Sequence, residues 1–91
     1  MSEFPIYEYK STGAKFKCIF HAMAYGFEWY GFKKIDKNIM EGFVMNNRDT
    51  IDEFGTFDVR EVLNLCHKNH VILKAQELSK ILPPVGFRRI N

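Results

Sequence analysis

Alternating apolar and polar positions run through the middle of the chain, from Lys15 to Phe57, and are typical of β-strands. The alternating runs are KFKCIFH, FEWYGFKK, MEGFVMN and EFGTF, and turn-like residues separate them. Because successive side chains of a strand point to opposite faces, each run gives one face a regular set of apolar side chains. The pattern predicts an antiparallel meander of about four to five strands.

Two of these runs carry further information about the sheet. From Phe27 to Lys34, large side chains occupy both faces, since Trp29 alternates with Tyr30. Either this strand is central and covered on both sides, or one aromatic face is exposed. Within the next run, Gly42 indicates a bulge or a close approach of two backbones.

The segments around the meander are less regular. Phe4 to Lys10 alternates imperfectly, and Pro5 lacks a backbone donor, so this segment is predicted to be an edge strand or an extended arm. Asn46 to Asp52 is polar and without a period, which predicts a loop. Val71 to Leu73 is short and β-branched, which indicates a strand.

Helical signals appear after the meander. Asp58, followed three residues later by Glu61, is typical of a helix start. Apolar residues with helical spacing follow at Val59, Val62, Leu63 and Cys66, and they predict a helix from Val59 to Lys68. A second, short helix is predicted from Gln76 to Leu82, where Pro83-Pro84 ends it. The predicted fold class is α+β, with the meander packed against one main α-helix.

Length and composition are those of one small domain spanning residues 1–91, with 46% hydrophobic and 26% charged residues. No apolar run approaches the roughly 18 to 20 residues of a membrane-spanning helix. The first residues, MSEFPIYEYK, lack the basic and apolar regions of a secretory signal. A cytoplasmic protein is expected, in the cytoplasm of the host cell if a phage encodes it.

Charge alone does not indicate a polyanionic partner, because 13 basic and 11 acidic residues give a net charge of +2. The basic residues cluster, however, on neighbouring predicted strands that also carry large rings. The cluster comprises Lys15, Lys17, Lys33 and Lys34, interleaved with Trp29, Tyr30 and Phe32. Bases could stack on such rings while lysines contact phosphates, so a small nucleic-acid-binding accessory protein is the alternative function.

Metal ligands and catalytic groups give little signal. Cys18 and His21 point to opposite faces if one strand carries both, and they could share a metal only if that strand breaks between them. His70 is predicted to lie beyond the end of the helix that carries Cys66. Phosphate-binding glycine loops and nucleophile motifs do not occur, and Asp52 lies in the predicted loop with nothing apolar to raise its pKa. The sequence predicts no metal, no cofactor and no enzymatic activity.

Three stretches of the chain together resemble a known family. They are Phe20 to Tyr30, Gly42-Phe43-Val44, and Glu53 to Val62, and the resemblance spans about half of the chain from the first of them to the last. The pattern is a Trp-Tyr pair, then Gly-x-Val, then an acidic residue and Gly-x-Phe leading into a helix. It is similar to a family of small uncharacterised proteins carried by phages, plasmids and integrative elements. The family's usual second tryptophan is Phe27 here.

The resemblance implies a genomic context in which small proteins bind and disable or redirect a host protein. The leading hypothesis is therefore a non-enzymatic interaction protein that binds a bacterial host or defence protein. In one form of this hypothesis, binding also inhibits that protein. A minor structural or house-keeping domain is a third hypothesis, and the oligomeric state is left open. The expected binding residues are those of an exposed aromatic and basic face and of the C-terminal tail: Trp29, Tyr30, Phe32, Lys33, Lys34, Arg88 and Arg89.

Overall fold

Two antiparallel sheets form most of the protein, in a computed structural model that describes residues 3–46, 51–66 and 71–91. The elements are β1 (Ile6–Tyr9), β2 (Lys15–Lys17), β3 (Phe20–Ala24), β4 (Phe27–Lys34), β5 (Ile39–Asn46), β6 (Ile51–Asp58), α1 (Val59–Leu65), β7 (Val71–Ile72), α2 (Ala75–Leu78) and β8 (Phe87–Arg89). A small sheet has the order β2-β1-β8, and a large sheet has the order β6-β5-β4-β3-β7. The predicted antiparallel meander is confirmed as β3 to β6.

The first predicted strand is in fact two strands. β2 belongs to the small sheet and β3 to the large sheet, and Cys18 and Ile19 connect them. The Cys18 amide bonds to the Pro5 carbonyl, whereas the Ile19 amide bonds to the Gly31 carbonyl, so the chain changes sheets between these two residues. The expected edge position of the N-terminal segment is also wrong, since β1 lies in the middle of the small sheet.

The central strands of the large sheet are covered on both faces. The small sheet packs on one face, where the buried side chains are Tyr7, Cys18, Tyr30, Phe32, Phe43, Met45, Leu78 and Phe87. Helix α1 packs on the other face, where the buried side chains are Phe20, Ala22, Trp29, Met40 and Val62. Of the two alternatives for β4, the central strand covered on both sides is therefore confirmed.

Both helices are shorter than predicted. Helix α1 ends at Leu65 because Cys66 takes an extended conformation, and the remaining predicted residues of this helix, 67–70, lie outside the described residues. Helix α2 ends at Leu78, whose side chain is fully buried, while Leu82 is exposed rather than aligned with it. No helix within the described ranges is long and apolar enough to cross a membrane.

The predicted start of helix α1 is confirmed. An Asp58 carboxylate oxygen accepts a hydrogen bond of 2.8 Å from the Arg60 amide, which satisfies one of the free donors of the first turn. The side chains of Asp58 and Arg60 also form an ion pair, with 3.7 Å between the charged atoms. Because this pair is largely exposed, it adds little to the stability. The cap is therefore the main contribution of Asp58.

Replacing Asp58 with alanine is expected to lower the free energy of unfolding by about 1 kcal/mol, since it removes the cap and leaves the sheet unchanged. Denaturant melts of the two proteins measure the difference. Asp58→Asn is the matched control, because its side chain still accepts the bond, and it should recover most of the loss. Equal midpoints for the alanine variant and the original protein would contradict the assignment of the cap.

Candidate functional site

The aromatic side chains expected on a binding surface are buried. Trp29, Tyr30 and Phe32 keep only 8%, 3% and 9% of their surface exposed. The expectation of an exposed aromatic face is wrong because β4 is central and the core continues on both of its sides. Lys33 and Lys34, at the end of the same strand, are exposed as expected.

Other aromatic rings already stack on Phe32 and Trp29, where the bases of a nucleic acid would have to stack. Phe32 stacks on Phe16 of β2, with ring centroids 4.9 Å apart and an angle of 23° between the rings. Trp29 stacks on Phe27 with centroids 5.6 Å apart and an angle of 19°. These contacts belong to the packing of the core, and Trp29 and Phe32 do not form a platform for a base.

The two C-terminal arginines are exposed but already bonded. The Arg88 guanidinium donates to a Glu8 carboxylate oxygen at 2.7 Å. The Arg89 guanidinium donates to the Asn91 carbonyl at 3.0 Å and also to the Ser79 carbonyl. A partner would have to compete with these contacts, so their role in binding stays a prediction.

A polar cluster is formed by His21, Glu28 and Tyr30, and the Tyr30 hydroxyl lies 3.4 Å from the Leu82 carbonyl, in the segment that follows α2. His21 is only 4% exposed, and neither of its ring nitrogens has a hydrogen-bond partner among the described residues. Its Nε2 lies 3.7 Å from a Glu28 carboxylate oxygen, which accepts a 2.6 Å bond from the Tyr30 hydroxyl. Burial lowers the pKa of His21, although the Glu28 carboxylate opposes the shift.

The lowered pKa of His21 predicts a pH-dependent stability. The unfolded chain binds a proton at this imidazole below a pKa of about 6.5, whereas the folded protein does so only at lower pH. The unfolded state therefore holds more protons between these two values, and the free energy of unfolding decreases as the pH falls through that window. At pH values above this window, the contribution of His21 to the free energy of unfolding is constant.

Denaturant melts at about pH 7.5 and about pH 5.5 measure the effect, with His21→Gln as the control that cannot titrate. The original protein should lose more stability between the two pH values than the variant does. Equal losses would show that other groups, not His21, cause the acid sensitivity.

Neither cysteine is activated as a nucleophile. Burial raises the pKa of the Cys18 thiol to about 11, and the thiol donates a weak 3.4 Å bond to the Phe20 carbonyl. Burial also raises the pKa of Cys66. Both thiols are therefore protonated at neutral pH, whereas a nucleophilic cysteine needs a lowered pKa.

One premise of the argument against a metal site at Cys18 and His21 is wrong. The strand does break between Cys18 and His21, so opposite faces no longer separate them. Among residues 3–46, 51–66 and 71–91, however, no three His, Cys, Asp or Glu side chains are grouped to hold a metal ion. Two histidines close to Cys66 in the sequence, His67 and His70, lie outside the described residues.

The predicted run EFGTF forms part of β6, a strand at the edge of the large sheet, and the sequence did not predict that edge position. Among the described residues, β6 pairs only with β5, in eight registered pairs from Ile39 with Asp58 to Asn46 with Ile51, without a bulge. Residues 52–56 are all exposed. Alternate residues of an edge strand direct their N–H and C=O groups outward, and no described residue bonds to this outer side of β6. We call it the β6 edge.

The other sheet edges in the described ranges differ from the β6 edge in length. The small sheet ends in β2 and β8, with three residues each, and the far side of the large sheet ends in β7, with two. Short edges are one way in which proteins prevent unwanted strand pairing. The β6 edge has eight residues and contains neither proline nor a bulge, so it can template a further strand.

Side chains hold β6 in place while leaving its edge open. The Phe54 ring packs on rings of both sheets, with centroid distances of 5.0 to 5.6 Å: Tyr9, Phe16, Phe43 and Phe87. Phe54 nevertheless keeps 44% of its surface exposed. Asp52 and Glu53, immediately before it, are exposed and in no ion pair with any described residue. The strand thus offers a fixed backbone, one partly exposed ring and two free carboxylates.

A groove of about 550 Å³ lies at the opposite side of the large sheet. Its walls are mostly apolar, with one lysine and one glutamate: Leu63, Cys66, Val71, Leu73, Lys74 and Glu77. The side chains do not define a geometry for a particular ligand, since no metal-binding cluster of described residues accompanies the two charged groups. The groove is a weaker candidate than the β6 edge.

Comparisons with protein-family models, with curated proteins and with solved structures gave no match. The family resemblance of the sequence therefore stays a prediction. The assignment of a function depends on the geometry of the chain itself.

Proposed function

We propose that this protein is a non-enzymatic interaction protein of the phage or mobile-element type that binds a bacterial host or defence protein, and that the β6 edge is its binding site. The observation that carries the proposal is the long, exposed and unpaired edge of β6, beside sheet edges of two or three residues. Addition of a strand to such an edge is a recurring mode of protein recognition.

The packing of β6 supports a role of its edge in binding. Because Phe54 is packed among four rings, β6 does not need to become ordered when a partner arrives, which reduces the entropic cost of association. Backbone hydrogen bonds then supply affinity, and the exposed part of Phe54 offers an apolar contact. Inhibition would follow if the added strand belongs to an active segment of the partner.

The alternative, a nucleic-acid-binding accessory protein, is favoured by one observation, the exposure of Lys15, Lys17, Lys33 and Lys34. It lacks the stacking component of the original hypothesis, since the rings of β4 are in the core. Lysines alone would give weak and sequence-independent binding that falls steeply with salt.

Site-specific crosslinking in bacterial cells that express the full chain tests the proposal. Benzoylphenylalanine at Thr56, on the β6 edge, should form a nuclease-resistant adduct with a cellular protein. Thr56 is replaced because it is exposed and its side chain forms no hydrogen bond with any described residue. Glu77→benzoylphenylalanine is the matched control, at an exposed position of α2 beside the groove.

A stoichiometric protein adduct from Thr56 and not from Glu77 supports the proposal. Adducts from Glu77 alone would place the binding site at the groove and contradict it. Recovery of nucleic acid alone, removed by nuclease, would support the alternative function.

A further inference from the structure

We infer that the β6 edge recognises a strand with an apolar residue next to two consecutive basic residues. The inference rests on the proposed function, since it specifies the partner for the same edge. It comes from the order Asp52-Glu53-Phe54 along β6, which places two exposed carboxylates directly beside a half-exposed ring.

The net charge of β6 is opposite in sign to the net charge of the whole chain. The strand contains three acidic residues and no basic one, although the whole chain carries a net charge of +2. One of the three, Asp58, already caps helix α1. Asp52 and Glu53 are free, and the neighbouring strand adds the exposed Glu41, whose backbone pairs with Thr56.

The spacing of these groups determines the order of residues in the partner. Side chains directly opposite each other on paired strands have Cβ atoms about 5 Å apart and interact as pairs. Asp52 and Glu53 point to opposite faces of the sheet, and Phe54 shares the face of Asp52. An added strand therefore needs two adjacent basic residues opposite the two carboxylates and an apolar residue opposite Phe54, whether it runs parallel or antiparallel.

A second copy of this chain is a poorer occupant than another protein. Pairing of β6 with β6 would bring two strands of equal negative charge together. The chain does contain two apolar-basic-basic strand segments, but the groups of both are in use. In Phe32-Lys33-Lys34 of β4, the phenylalanine is buried and the two lysines pair with β5. The second segment is Phe87-Arg88-Arg89 of β8. Phe87 is buried, Arg88 bonds to Glu8, and Arg89 donates to the Ser79 carbonyl.

Peptide titration of the ¹⁵N-labelled full chain, followed by amide shifts in NMR spectra, tests the inference. The probe is an eight-residue strand peptide, Thr-Val-Phe-Lys-Lys-Val-Thr-Val. In one control peptide, Glu-Glu replaces Lys-Lys. In a second, alternate backbone nitrogens on the pairing side are methylated, which removes the donors without changing the charge.

The basic peptide should shift β6 amides and bind about tenfold more tightly than the acidic one, since two attractive pairs replace two repulsive ones. The methylated peptide should not bind. The variant Asp52→Asn/Glu53→Gln should lose most of the preference, whereas Glu61→Gln/Glu77→Gln, which removes the same number of charges from exposed helical positions, should keep it.

Failure of the inference can be distinguished from failure of the proposed function. Equal affinity for the basic and acidic peptides, with β6 amides shifting in both, would overturn the charge preference and leave the edge as a binding site. An absence of β6 shifts with every peptide would overturn both. Shifts of β6 amides that grow with the concentration of the protein alone would show that a second copy is the occupant, which also overturns the inference.

Discussion

Alanine at Gly42 is expected to destabilise the protein by more than about 3 kcal/mol, which is a large part of the stability of a small domain. A Cβ atom at this position would lie 1.8 Å from the Tyr30 carbonyl oxygen and 3.1 Å from the Gly31 Cα. These are backbone atoms of β4, and they cannot rotate away as a side chain could. Separation of β4 and β5 is the remaining adjustment, and it would open the core on both faces of the sheet.

Gly55 provides the matched control, because it is paired with Gly42 across β5 and β6. A Cβ atom at Gly55 meets nothing within 4 Å. Gly55→Ala should therefore be neutral or stabilise by about 0.5 kcal/mol through reduced entropy of the unfolded chain. Thermal melts should show a decrease of more than about 12 °C for Gly42→Ala alone. Similar melting temperatures for both variants would contradict the close approach of the two strands.

Alanine at Tyr30 is expected to cost about 3 to 5 kcal/mol, since it removes a large buried side chain. The ring lies against the His21 ring at 4.8 Å and the Tyr7 ring at 6.4 Å, so the change leaves a cavity where two sheets meet. Had Tyr30 been part of an exposed binding face, the same substitution would have weakened binding and left folding intact.

Tyr30→Phe separates packing from hydrogen bonding in this prediction. It keeps the ring and removes the hydroxyl that donates to Glu28, so it should cost only about 1 kcal/mol. Denaturant melts of both variants, with folding checked by circular dichroism, give the comparison. A Tyr30→Ala protein as stable as Tyr30→Phe would contradict the buried position of the ring.

The sequence predicted best those features that depend on neighbouring residues. Alternation identified the strands of the meander, and the Asp58 cap followed from its position directly before the apolar helical spacing. Gly42 was expected to mark a bulge or a close approach of backbones, and the structure shows the close approach. In each case the physical cause lies within a few positions along the chain.

Features that depend on distant residues were not readable from the pattern. The small sheet joins β1 to β8, nearly the whole length of the chain apart, and no local period indicates that pairing. The chain also changes sheets at Cys18 and Ile19, where Cys18-Ile19-Phe20 is a run of three apolar residues but no turn residue marks the change. Strand order likewise decided whether β4 was central, and thus whether Trp29 and Tyr30 were exposed.

The β6 edge was missed for a related reason. An edge strand with both faces partly exposed needs few apolar residues, so the polar run from Asn46 to Asp52 resembled a loop. The structure places Ile51 and Asp52 in β6 and Asn46 in β5, while residues 47–50 lie outside the described ranges. Asp52, which made the start of β6 resemble a loop, and Glu53, which lies in the predicted run EFGTF, are now expected to select the partner.

Amide hydrogen exchange of the full chain, alone and in complex with the protein captured at Thr56, tests the central claim most directly. If a partner strand adds to the β6 edge, the outward amides among residues 52–57 should become strongly protected in the complex, while the short edges β2, β7 and β8 stay unchanged. Unchanged exchange along β6, with new protection at one of those short edges or beside the groove, would contradict the account.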